Sequence, residues 1–267
     1  MATSSLPPIP GIAALCSSDE NANVSVPIAA CVAFLISMMF ASVAQGQTDG
    51  TKDFIARPKI GAAHLTLPSH LSWQASPDAD GTYLVSLSLI VDVGSVLKNI
   101  RALSASVLNK AKPCGDLLRV SDAAARLTGA STLAYDLSFH FAKRICAGGM
   151  PLELPADIAC SSVVALSAAG SLLTADVRGA TVEPCSIEGT SPGLAKFASS
   201  KIFKRHTIDL AQQLPPEFQN ISVNVRAIAF DTPPASPHLR IAGDATMSPQ
   251  QFRAFTAKLD AVGRPSH

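Results

Sequence analysis

Leu133–Ile145, LAYDLSFHFAKRI, alternates apolar and polar side chains along its length. Leu133, Tyr135, Leu137, Phe139, Phe141 and Ile145 fall on one side, with Asp136, Ser138, His140 and Arg144 on the other. A period of two is that of a half-buried strand, and the run outlasts the roughly five or six residues usual for one. The same alternation occurs upstream at Tyr83–Val91, where Tyr83, Val85, Leu87, Leu89 and Val91 oppose Ser86 and Ser88. Downstream, Ile158–Ala168 is apolar on both sides, Ala169-Gly170 is a turn candidate, and Leu172–Pro184 continues as strand. With a weaker signal at Leu117–Thr128, these segments predict a meander of long antiparallel strands. Ile221–Phe230 and His238–Ala245 add two more, joined through Pro233-Pro234, a return too long and proline-rich for a tight turn.

Helical spacing predicts three helices. Asp92 stands as a cap before Val93, Val96, Leu97, Ile100, Leu103, Val107, Leu108 and Ala111, which share one face until Pro113. Ser191-Pro192 opens a second long helix through Leu194, Phe197, Ala198, Ile202 and Ala211, closed by Pro215-Pro216. Ser248-Pro249-Gln250-Gln251 is a capping box for a terminal helix with Phe252, Phe255 and Leu259 turned inward. The fold class expected is therefore α+β, a long curved antiparallel sheet packed on two long amphipathic helices plus a short C-terminal helix.

Pro27–Ala44, PIAACVAFLISMMFASVA, is an uncharged apolar run ending in small residues before Gln45-Gly46-Gln47. Ser42-Val43-Ala44 supplies small residues at −3 and −1, as signal-peptide cleavage requires. Asp19 and Glu20 precede the run and Lys52, Arg57 and Lys59 follow it, which leaves a membrane-anchored alternative open. The division expected is 1–44 as signal peptide or signal anchor, 45–82 as an extended polar arm or short edge strands anchored by Trp73, 83–262 as one strand-rich domain, and 263–267 as a tail. Loss of the leader removes Asp19 and Glu20 from the 20 acidic residues, so 21 Lys+Arg face 18 Asp+Glu and the formal charge is +3. Such a balance lacks the basic footprint of a nucleic-acid binder.

Four cysteines follow the leader, Cys114, Cys146, Cys160 and Cys185, an even number suited to an oxidising, periplasmic or extracellular setting. Of the three connectivities, Cys114–Cys146 with Cys160–Cys185 ties neighbouring strand ends. The spacing of a zinc site is missing, so no metal or other cofactor is expected. Asn220-Ile221-Ser222 matches a glycosylation acceptor, meaningful only in a eukaryotic secretory host.

The chain has no G-x-S-x-G elbow, P-loop, H-E-x-x-H helix or dinucleotide fingerprint, and no catalytic residue is assigned. His140 and Asp136 share the polar side of one strand, an arrangement better suited to cross-strand pairing than to general-base work. Leu137, Phe139, Phe141, Val164 and Leu166 face either a packed core or an apolar cavity. Lys201, Lys204 and Arg205 share a helix face that either meets a phospholipid head group or is solvated.

Segment Tyr83–Ala261, with Cys114-Gly115-Asp116, Lys143–Cys146 and Leu239–Phe255 (LRIAGDATMSPQQFRAF), resembles bacterial envelope proteins of the tubular lipid-binding (TULIP) kind. That resemblance implies a sheet wrapped around a helix to leave an apolar tunnel, and transfers no site residue. The function expected is an exported, non-catalytic module of the cell envelope that binds lipid or another hydrophobic small molecule. Membrane contact is confined to the N-terminal segment or the basic helix face. A structural or protein-interaction role stands second and a hydrolase with an unrecognised site third.

Overall fold

The computed structural model describes residues 49–60, 63–111, 115–147, 150–178, 185–188, 205–214, 218, 220–231 and 236–261. In chain order the strands are β1 (Asp49–Ala56), β2 (Lys59–Ile60), β3 (Ala63–His64), β4 (Leu67–Pro77), β5 (Tyr83–Asp92), β6 (Lys110–Ala111), β7 (Gly115–Gly129), β8 (Thr132–Ala147), β9 (Met150–Ala169), β10 (Leu172–Arg178), β11 (Cys185–Glu188), β12 (His206–Asp209), β13 (Ser222–Asp231) and β14 (His238–Met247). Helices α1 (Gly94–Lys98) and α2 (Ile100–Leu108) separate β5 from β6, and α3 (Pro249–Ala261) follows β14.

The strands form a five-stranded sheet in the order β1-β4-β5-β14-β13 and a larger one in the order β12-β10-β9-β8-β7-β6, with β11 beside β9. All these pairings are antiparallel. In the larger sheet Phe139 lies between Val120 and Ile158, and Leu137 between Ala123 and Cys160, so the apolar side of β8 meets apolar neighbours on both flanks. In the smaller sheet Leu71, Leu89, Ile241 and Ile228 form one such row across four strands. The inner faces of both sheets contribute to one continuous hydrophobic core.

The expectation of two long amphipathic helices packed on a sheet is wrong: the described residues are mostly strand, with three short helices. The first expected helix is interrupted at Asn99, whose backbone leaves the helical region (φ −102°, ψ 12°), and stops at Asn109, which is extended (φ −62°, ψ 122°). Asn109 Oδ1 accepts the Val120 N–H at 2.7 Å, and Lys110–Ala111 then pair with Leu118 and Leu117. Periodicity over 93–111 thus covers two short helices and the two-residue strand that follows them. The second expected helix is overturned at its C-terminal part, where His206–Asp209 pairs with Leu172–Ala175 and only a 3-10 turn follows at Ala211–Gln213. The hydrogen bonds offered by the edge of β10 outweigh the intrinsic preference of so short a segment. Residues 191–204, the rest of that helix, lie outside the described residues.

Other expectations hold locally. Ser248 Oγ accepts the Gln251 N–H at 3.2 Å while Gln251 Oε1 accepts the Ser248 N–H at 2.9 Å, which is the reciprocal capping box. Phe252, Phe255 and Leu259 are buried below it. Phe255 meets the Trp73 ring edge-on at 6.2 Å, and Phe252 stacks on Tyr83 at 4.4 Å, so α3 is fastened to the inner face of β4 and β5. Trp73, expected to anchor a polar arm, is part of the core, and β1 and β4 are strands of the five-stranded sheet.

A polar tie joins α2 to β8. Buried Ser104 donates to the Ile100 carbonyl at 2.6 Å, so the Tyr135 hydroxyl, 2.8 Å away, donates to Ser104. Burial raises the Tyr135 phenol above its ordinary value, which keeps it protonated for that role.

Two substitutions test this packing. Phe255→Ala empties a fully buried site and is expected to cost about 3–5 kcal/mol by urea unfolding. Gly50→Ala adds a Cβ that collides with the Trp73 six-membered ring and is expected to cost about 1–3 kcal/mol, with an unchanged unfolding slope.

Candidate functional site

Side chains on the five-stranded sheet alternate between the core and an outer face, and the outer face is not uniformly polar. Asp53, His70, Ile90 and Arg240 occupy one row across β1, β4, β5 and β14. In the neighbouring row Ile55 stands opposite Pro68, and Asp92 opposite His238. These two rows make an open cleft of about 420 Å³, lined by Asp53, Phe54, Ile55, Pro68, His70, Ile90, Asp92 and His238, with Ser69 behind them. Ile55 is 54% exposed, one of four large apolar side chains so placed among the described residues.

The polar members are oriented by their neighbours. His70 Nδ1 is 2.6 Å from Asp53 Oδ1. Asp92 Oδ1 accepts the Gly94 N–H at 2.8 Å and the Ser236 hydroxyl at 2.6 Å, an N-terminal turn contact combined with a tie to the start of β14. Asp92 Oδ2 has no hydrogen-bond donor among the described residues. Burial by itself would raise the Asp92 carboxyl, but the Ser236 and Gly94 hydrogen bonds, aided by His238 and Lys98, hold it below the ordinary carboxylate range. The group is therefore a carboxylate at neutral pH. Chemically the cleft offers an apolar floor, an ionised acid at one end and two imidazoles; no hydroxyl or thiol nucleophile is hydrogen-bonded to either imidazole among the described residues.

Residues singled out from the sequence lie elsewhere. Leu137, Phe139, Phe141, Val164 and Leu166 are all buried within the shared core, none more than 5% exposed. Lys201 and Lys204 lie outside the described residues, and Arg205 pairs with Asp176 at 3.2 Å. His140 pairs across strands with Asp157 at 2.9 Å, while Asp136 is taken by Ser161 at 2.5 Å and Arg126 at 3.2 Å. Cys160 is disulfide-bonded, and the residue directly opposite it in the register is Cys185. Cys146 stands opposite Pro151, and Cys114 lies outside the described residues.

Sequence reasoning missed the cleft because its members come from four strands that only tertiary pairing brings together. One local signal exists: Ile90 interrupts the serine side of β5, where Ser86 and Ser88 set the expectation of a polar residue. Among the described residues no group of three or more His, Cys, Asp or Glu is placed to hold a metal ion, and no helix is long and apolar enough to cross a membrane. Set beside known proteins, the chain matches no family model, no curated protein and no solved structure.

The lowered Asp92 carboxyl has a pH signature. With its folded value below the unfolded one, the unfolded chain binds more protons here, so the stabilisation is present above the ordinary carboxylate range and is lost as pH falls through the folded value. Asp92→Asn keeps the acceptor oxygen but cannot ionise. Urea unfolding is expected to show the native chain more stable than the variant near about pH 6, with the gap narrowing toward about pH 3.

Proposed function

We propose that this chain is an exported, non-catalytic binding module of the cell envelope that holds a small hydrophobic ligand on the outer face of its five-stranded sheet. One observation carries the reading: Ile55, Pro68 and Ile90 form an apolar floor outside the core, in a cleft of about 420 Å³. Small-molecule sites of several hundred Å³ combine an apolar lining with a few fixed polar groups, and Asp92 and His70 are fixed here by Ser236, Gly94 and Asp53. Leu137, Phe139, Phe141, Val164 and Leu166 fill the core, so the ligand is placed on the outside of the smaller sheet and not on the inside of the larger one.

Export rests on the apolar run Pro27–Ala44 with its small-residue exit and on cysteine chemistry. A Cys160–Cys185 bond between facing residues of β9 and β11 suits an oxidising compartment, periplasmic or extracellular. It closes the β9–β10 hairpin and the return to β11 into one loop, a constraint that typically contributes about 2–4 kcal/mol.

Titration of the isotope-labelled chain with 1-octanol, followed by amide NMR, tests the ligand reading. Saturable shifts are expected at Ile55, His70 and Ile90, and Ile90→Ser is expected to weaken binding about tenfold, as loss of apolar contact area implies. Shifts confined to other strands, or an unaltered affinity in Ile90→Ser, overturn it. Peptide mapping without reductant is expected to recover Cys160 linked to Cys185 in chain made through a secretory route.

A further inference from the structure

We infer that the ligand of the outer cleft is an amphiphilic monocation, a linear primary amine whose ammonium sits on Asp92 and whose tail crosses Pro68 to Ile55. This inference rests on the cleft being the binding site and adds the charge and shape of what enters it.

Register supplies the shape. Ser69 pairs with Val91, so Pro68 falls one step further, beside Asp92, and Pro68 in turn pairs with Ile55. Asp92, Pro68 and Ile55 therefore form a row perpendicular to the strands, spanning two strand spacings or about 10 Å. Its ends differ: a carboxylate at β5 and a largely exposed isoleucine at the edge strand β1. Ile90, on the adjacent row, completes the apolar floor.

The second carboxylate oxygen of Asp92, which accepts no hydrogen bond from the described residues, supplies the charge preference. Among the described residues both donors to Asp92 converge on Oδ1 and none reaches Oδ2, and a carboxylate has room for more than two donors. Asp92 is part-buried, where charge interactions are less screened than on the open surface. Asp53, the other acid of the cleft, is 88% exposed in its side chain and already paired with His70, so it offers a bound cation less. His238 and Lys98 also act on Asp92 electrostatically, but neither is hydrogen-bonded or ion-paired to it among the described residues. A carboxylate in the same position as the amine would face Asp92 with like charge.

The test compares three probes of equal chain length on the purified chain near pH 7, namely octylamine, 1-octanol and octanoate, by the same amide NMR titration. Octylamine is expected to bind at least about tenfold tighter than 1-octanol, and octanoate more weakly than either. In Asp92→Asn, with its fold verified by circular dichroism, the ratio of octylamine to 1-octanol affinity is expected to fall to about one. Equal binding of octylamine and 1-octanol to the native chain, or preference for octanoate, overturns the cation inference and leaves the hydrophobic-ligand reading standing. Failure of all three to shift the cleft residues overturns both.

Discussion

The fold depends on register. Strand β8 lies between β7 and β9, and each of Leu133, Tyr135, Leu137, Phe139 and Phe141 meets an inward neighbour on β9. A slip of one residue would turn all five outward and bring Asp136, Ser138 and His140 into the core, exchanging buried apolar area for desolvated polar groups. The same parity on β4, β5 and β14 fixes the second inner face, and the aromatic contacts of α3 with Trp73 and Tyr83 pin the helix over it.

Strands with unbroken alternation were legible from sequence, and those with bulges were not. On β5, and on β8 from Leu133 to Phe141, every second residue is apolar, and the structure follows. On β7 the register shifts between Val120 and Asp122 and again between Leu127 and Gly129, so inward residues change from even numbers (Leu118, Val120) to odd ones (Ala123, Ala125). A bulge breaks the period while preserving the buried face, which is why that segment gave a weak signal. A related shift between Val225 and Ala227 divides β13. Helical periodicity misled for the opposite reason: over 93–111 the spacing was real, but Asn99 and Asn109 leave helical backbone, and strand pairing claims the end.

The cleft was hidden for a topological reason. Asp53, His70, Ile90 and His238 are separated by long stretches of chain and become neighbours through three successive strand pairings. Proline content and polarity made residues 45–82 resemble an arm, yet Pro68 and Pro77 sit in β4, Pro68 on the outer face and Pro77 exposed at the strand's end. What the sequence did carry was the chemistry of each residue; what it lacked was their adjacency.

The two rims of the five-stranded sheet are unlike. On β13 the Val225 N–H donates to the Gly170 carbonyl at 2.8 Å and the Phe230 N–H to the Ala130 carbonyl, so the hairpin tips of the larger sheet occupy donors that an added strand would need. Growth of this sheet by adding a second copy would have to start at β1. There, antiparallel pairing joins residues of like parity, and a two-fold arrangement about the strand's middle sets Lys52 against its own copy, or Asp53 against its own. One rim is plugged by covalent neighbours and the other is guarded by self-repulsion, so the ladder is built to end with the molecule and resist growth into a filament.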